Sequence, residues 1–99
     1  MLAQTSYALT YGQLREILYD LGFSRTETTE AQIYHQADTD VWLALPFASD
    51  QTLVDQAHLT GVRMTLTASG IATAEEFAAM VANKIRIASV VHRRTHPMA

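Results

Sequence analysis

The chemistry open to this 99-residue chain starts from four histidines and no cysteine. His35 follows Gln32-Ile33-Tyr34 in a short stretch with strand character, where an imidazole would serve as a general base. His58 stands three residues after Asp55 at the start of a helical segment. A carboxylate beside an imidazole orients it for base catalysis, but a helix-start histidine with a solvated ring is the plainer reading. His92 and His96 flank Arg93-Arg94 at a spacing that would let two histidines on one helix turn share a metal. Pro97 follows at once and argues against ordered helix there, so no metal site is assigned. The lack of cysteine removes disulfide frameworks, zinc ribbons, iron–sulfur sites and thiol catalysis. The sequence holds no glycine-rich phosphate loop, no Gly-x-Ser-x-Gly elbow and no metal-spaced carboxylate motif, and no cofactor is assigned.

Those residues need a scaffold, and the composition describes a small one. Apolar residues make up 48% and charged residues 17%, with 4 Gly and 2 Pro, which excludes a disordered or collagen-like chain. The length suits one domain, residues 1–99. Seven Lys and Arg against ten Asp and Glu give a net charge of −3, which disfavours RNA as the main partner. The one basic cluster is Lys84, Arg86, Arg93 and Arg94, and cations at a helix C-terminus suit the helix dipole without any phosphate. No apolar run approaches the ~20 residues that cross a bilayer. Met1–Ala8 lacks the basic and apolar regions of a secretory signal, so no membrane and a cytoplasmic location are expected.

Periodicity places the elements. Leu14, Ile17, Leu18 and Leu21 recur on one helical face, Thr10 offers an N-cap and Gly22 a C-terminal stop, giving a helix over 11–21. Residues 23–28 read as a weak strand. Residues 31–36 and 41–45 form a hairpin across the polar turn 37–40, with Val41, Leu43 and Leu45 alternating against Trp42 and Ala44. Pro46 ends that strand. A second helix runs from Asp55 or Gln56 to Ser69, with Leu59, Val62, Met64 and Leu66 as its apolar positions. Thr73 and Glu76 form a capping box for a third helix, whose stripe is Phe77, Met80, Val81, Ile85 and Ala88. Residues 84–91 are β-branched enough to compete as a strand, but the capping box and the alanines before them favour helix to about residue 92. Residues 1–9 and 93–99 read as loose ends. The fold class is therefore α+β in the order α-β-β-β-α-α, a three-stranded antiparallel sheet with helices packed on one face.

That order and several phrases resemble the HicA-type mRNA interferase family. The phrases run from Tyr11 to Phe23, through Ile33-Tyr34 and Leu43–Phe47, to His58–Leu66, Gly70-Ile71 and Glu75-Glu76-Phe77. The likeness covers residues from about 10 to 81, with the third helix as an extension. It implies a fold like the double-stranded-RNA-binding domain, ribonuclease chemistry and an antitoxin partner. The family's Gly-Ser/Thr-His phrase, however, falls on Thr29-Glu30-Ala31, so Ala31 occupies the histidine position and can move no proton. His35 is the nearest substitute, and four residues of strand put it about 13 Å away. A general base must approach within about 3 Å. No catalytic residue is assigned beyond His35 as a weak candidate.

The apolar surplus points to binding. With Val41, Leu43 and Leu45 toward the helices, Trp42 faces away, and Tyr34 on the neighbouring strand is placed on that same outer face. Ile87 and Val90 lie off the stripe of the third helix. Tyr34, Trp42, Ile87 and Val90 are read as a protein-interaction face, with a second copy of the chain the simplest cover and an antitoxin-like protein a further candidate. The expected function is a HicA-like interaction or self-association module without ribonuclease activity, and the alternative is an RNA-binding or mRNA-cleaving toxin.

Overall fold

The structure, a computed structural model, describes residues 9–95, with side chains through residue 86. Helix α1 spans Tyr11–Asp20, strands β1, β2 and β3 span Phe23–Glu27, Gln32–Gln36 and Val41–Leu45, and helices α2 and α3 span Gln56–Ala68 and Ala74–Thr95. The order is α-β-β-β-α-α, as the sequence predicts.

Each helix begins where a side chain satisfies its free amides. Thr10 accepts the Gln13 N–H, and the Gln13 side chain accepts the Thr10 N–H at 2.9 Å. Asp55 caps α2 through the Ala57 N–H at 3.0 Å. Thr73 and Glu76 exchange the reciprocal pair of bonds at 2.8 and 3.0 Å. Gly22 and Gly70 follow the first two helices with φ of +91° and +76°, which other residues adopt only under strain.

The strands form one antiparallel sheet in the order β1-β2-β3. The four-residue turn between β2 and β3 pairs Gln36 with Val41, Tyr34 with Leu43 and Gln32 with Leu45. Asp40 closes that turn at φ +56°, a conformation that short polar side chains tolerate. The helices cover one face, where Leu14, Ile17, Leu18, Phe23, Tyr34, Leu43, Leu45, Val62, Leu66, Phe77 and Val81 form a single core. Each such side chain contributes roughly 1.5–3 kcal/mol relative to exposure.

The segment between β3 and α2 locks the start of α1. The Thr52 and Asp50 carbonyls accept the Tyr11 and Gly12 N–H groups at 2.9 and 3.1 Å, and the Leu9 carbonyl accepts Val54 N–H at 2.8 Å. Helix α3 settles the competition over residues 84–91. The Lys84 ammonium reaches Glu16 and Asp20 of α1 at 3.2 and 3.6 Å, and Ile85 packs on the core, so both residues serve the helix. The helix continues to Thr95, so Arg93 and Arg94 extend it rather than forming a loose end. Met64 departs from its expected core position: it is 59% exposed, because Val62 and Leu66 supply the inward face of α2.

Candidate interaction surface

Strand parity builds the surface. Phe23, Tyr34 and Leu43 point to the helices, so their neighbours point to the other side of the sheet. On that outer face, β1 supplies Ser24 and Thr26, β2 supplies Ile33 and His35, and β3 supplies Trp42 and Ala44. Trp42 is 59% exposed. His35, its cross-strand partner, stacks on it with ring centroids 3.9 Å apart and planes 22° from parallel. The His35 Nε2 pairs with Asp40 at 2.9 Å, so imidazole, indole and carboxylate form one exposed group at the hairpin end. Hydrogen bonding to His35, with a smaller contribution from Trp42, holds the Asp40 carboxyl below the usual carboxylate range. None of the six strand residues on this face is a lysine or arginine.

Tyr34 does not belong to this face. It is fully buried on the helix side, where its hydroxyl donates to Gln32 Oε1 at 2.9 Å and its ring meets Tyr19. The expectation fails because Tyr34 pairs with Leu43, not Trp42, and paired residues share a face. His35 takes the place assigned to Tyr34. The turn length carries this signal, since a four-residue turn that pairs Gln36 with Val41 fixes the whole register. The side chains of Ile87, Val90, His92, Arg93 and Arg94 lie outside the described ones, and His96 lies outside the described residues.

The other chemistry-bearing residues separate into different settings. Ala31 immediately precedes β2 at the end of a turn in which the Thr28 hydroxyl bonds the Glu30 and Ala31 N–H groups at 3.2 and 3.1 Å. His58 does not pair with Asp55. Its Nδ1 meets the Tyr11 hydroxyl at 2.8 Å, while the Asp55 carboxylate is engaged as the α2 cap. Arg15, which lies off the main α1 stripe, reaches across to Asp50 in the β3–α2 segment. That bond holds the Asp50 carboxyl below its usual range and raises the already high Arg15 pKa. The pairing spans 35 positions and carries no local sequence signal. Among the described residues, no group of three or more histidines, aspartates and glutamates gathers as metal ligands, and no helix is long and apolar enough to cross a membrane.

No protein-family model, curated protein or solved structure matches this chain.

Proposed function

We propose that this chain is a HicA-like domain that has lost ribonuclease chemistry and acts in the cytoplasm as a protein-interaction module, docking its partner on the outer face of the sheet. The observation that carries the reading is Trp42, 59% exposed on the sheet face turned away from the core, which none of the described helices covers. Leaving a large aromatic in water forgoes stabilisation that a partner would recover, and rigid aromatic side chains are enriched among the residues that dominate interfaces. A base-stacking platform for RNA combines aromatics with cations that track the phosphates. This face sets Asp40, bonded to His35, beside the stacked Trp42 and has no Lys or Arg among its strand residues, which favours protein over RNA. Ala31 at the position matching the family's histidine supports the loss of cleavage.

Trp42 is the only tryptophan, so its emission reports this face directly. The product of the adjacent reading frame, where an antitoxin-type partner would be encoded, is titrated into the pure protein. The reading expects saturable binding with a blue shift of Trp42 emission, weakened at least tenfold by Trp42→Glu. It also expects no growth arrest when the chain is expressed alone. Cleavage of a structured messenger RNA that disappears with His35→Ala would overturn the proposal and favour the toxin reading.

A further inference from the structure

Strand β3 lies at one edge of the sheet and β1 at the other. Among the described residues, no backbone bond from outside the sheet reaches residues 41–45. The segment after Pro46 is tied to Leu9, Tyr11 and Gly12 instead. The two edges differ in charge. β1 carries Arg25 and Glu27, whereas Val41-Trp42-Leu43-Ala44-Leu45 holds no charge and no proline and runs in unbroken register against β2. An edge of that kind is a template for another strand, and proteins ordinarily blunt such edges with charges, prolines or bulges.

The ladder fixes which backbone groups the β3 edge presents. The Ala31 carbonyl accepts the Thr28 N–H at 2.9 Å, so Thr28 and Ala31 are a hydrogen-bonded pair at the β1–β2 turn. Such pairs alternate along an antiparallel ladder, so Ile33 and His35 turn their backbone groups to β1. Gln32, Tyr34 and Gln36 turn theirs to β3, where they face Leu45, Leu43 and Val41. His35 and Trp42 are then a non-hydrogen-bonded pair, the kind that brings side chains closer, in keeping with their 3.9 Å ring separation. Trp42 and Ala44 are left with N–H and C=O groups directed out of the sheet.

These groups define what fits them. A second β3, laid antiparallel about a twofold axis at Leu43, sets Trp42 of each copy opposite Ala44 of the other, so every outward N–H meets an outward C=O. On the outer face the largest side chain of the strand then lies beside the smallest. On the helix face Leu43 meets Leu43 and Val41 meets Leu45, all apolar. The β1 edge does not repeat this fit. A twofold axis at its centre sets Arg25 against Arg25, a like-charge pair that opposes association.

We infer that β3 pairs edge to edge with β3 of a second copy of this chain, in antiparallel register centred on Leu43, joining the two sheets into one. The pairing uses the strand edge and leaves the outer face of Trp42 at the surface, so it and the partner-docking proposal can fail separately.

Sedimentation velocity on the full chain, across a concentration series up to tens of micromolar, tests the dimer. The expected result is a shift from 11.0 kDa toward twice that mass. Amide hydrogen exchange, followed residue by residue by NMR over the same series, locates the contact. The Trp42 and Ala44 amides should gain protection as the dimer forms, while the Arg25 amide on the other edge stays fast. Ala44→Pro removes an outward N–H that the hairpin does not use, and proline is tolerated at an edge position of that kind. It should leave the circular dichroism unchanged and raise the dimer Kd by roughly tenfold or more, since each symmetry-related Trp42–Ala44 pair loses a bond. A monomer throughout the series overturns the inference. So does a dimer whose Trp42 and Ala44 amides exchange as fast as in dilute protein, or one that a folded Ala44→Pro chain forms with unchanged Kd. Protection of both amides already in the monomer also overturns it, because another segment of the same chain would then cover the edge. If Ala44→Pro does not fold, exchange in the native chain decides alone.

Discussion

His35 lies nearly flat on Trp42, with ring centroids 3.9 Å apart, although both residues are on the sheet face turned away from the core. An exposed cross-strand pair of this kind contributes roughly 0.2–1 kcal/mol. Trp42→Ala should therefore destabilise the fold by no more than about 1 kcal/mol. Leu43→Ala, one residue away and on the buried face, should cost about 2–5 kcal/mol. Urea unfolding of the two variants checks the contrast. A Trp42 variant as damaging as the Leu43 variant would mean that the indole holds the fold and is not free to serve a partner.

Tyr34 and Gln32 form the polar exception inside the core, bonded to each other at 2.9 Å. Tyr34→Phe keeps the ring and strands the Gln32 carbonyl oxygen, which should cost about 1–3 kcal/mol. Replacing both partners, as Tyr34→Phe with Gln32→Leu, should cost less than the sum of the single changes. Additive losses in this double-mutant cycle would show that the bond carries no coupling.

The Asp50 carboxyl is held below its ordinary range by its bond to Arg15. A carboxyl depressed in the folded state adds stability that is fully present above the unfolded pKa of about 3.9. It is lost as the pH falls through the lower, folded value. Asp50→Asn should therefore reduce stability at neutral pH and flatten the acid limb of the stability profile relative to the native chain. Thermal midpoints measured from pH 7 down to pH 2 give both curves, and parallel profiles would remove Asp50 from the acid response.

Much of this architecture is legible from local rules, because those rules act over a few residues. The Thr73–Glu76 capping box and the glycines at 22 and 70 mark helix boundaries within one turn of where they occur. The alternation in β3 correctly turns Leu43 inward and Trp42 outward. The side of Tyr34 is not set locally, because Gln32-Ile33-Tyr34-His35 alternates without a clear apolar face, and a buried Gln–Tyr bond substitutes for hydrophobicity. Only the pairing across the turn decides its side. The Arg15–Asp50 bond and the Tyr11–His58 bond depend on how distant segments pack, and no short window of sequence encodes them.

Two glycines in helices should respond in opposite directions to the same substitution. Gly61 lies inside α2, is solvent-exposed, and has no neighbouring atom within 4 Å of where a Cβ would stand. Gly61→Ala should therefore stabilise the fold by about 0.5–1 kcal/mol through lost freedom in the unfolded chain and better helix propensity. Gly12 lies in the first turn of α1, where its N–H donates to the Asp50 carbonyl at 3.1 Å. A Cβ there would stand 3.0 Å from Asp50 Cβ and 3.1 Å from that carbonyl oxygen. Neither is the far end of a flexible side chain, so the β3–α2 segment must retreat, stretching the Gly12–Asp50 bond and the reach of Arg15. Overpacking of this kind costs about 1–3 kcal/mol. Gly12→Ala should accordingly be destabilising despite its better helix propensity, and part of its cost should disappear in an Asp50→Asn background, where the Arg15 bond is already weakened. Denaturant midpoints at unchanged slope measure all four variants. A stabilising Gly12→Ala would mean that this segment does not press on α1.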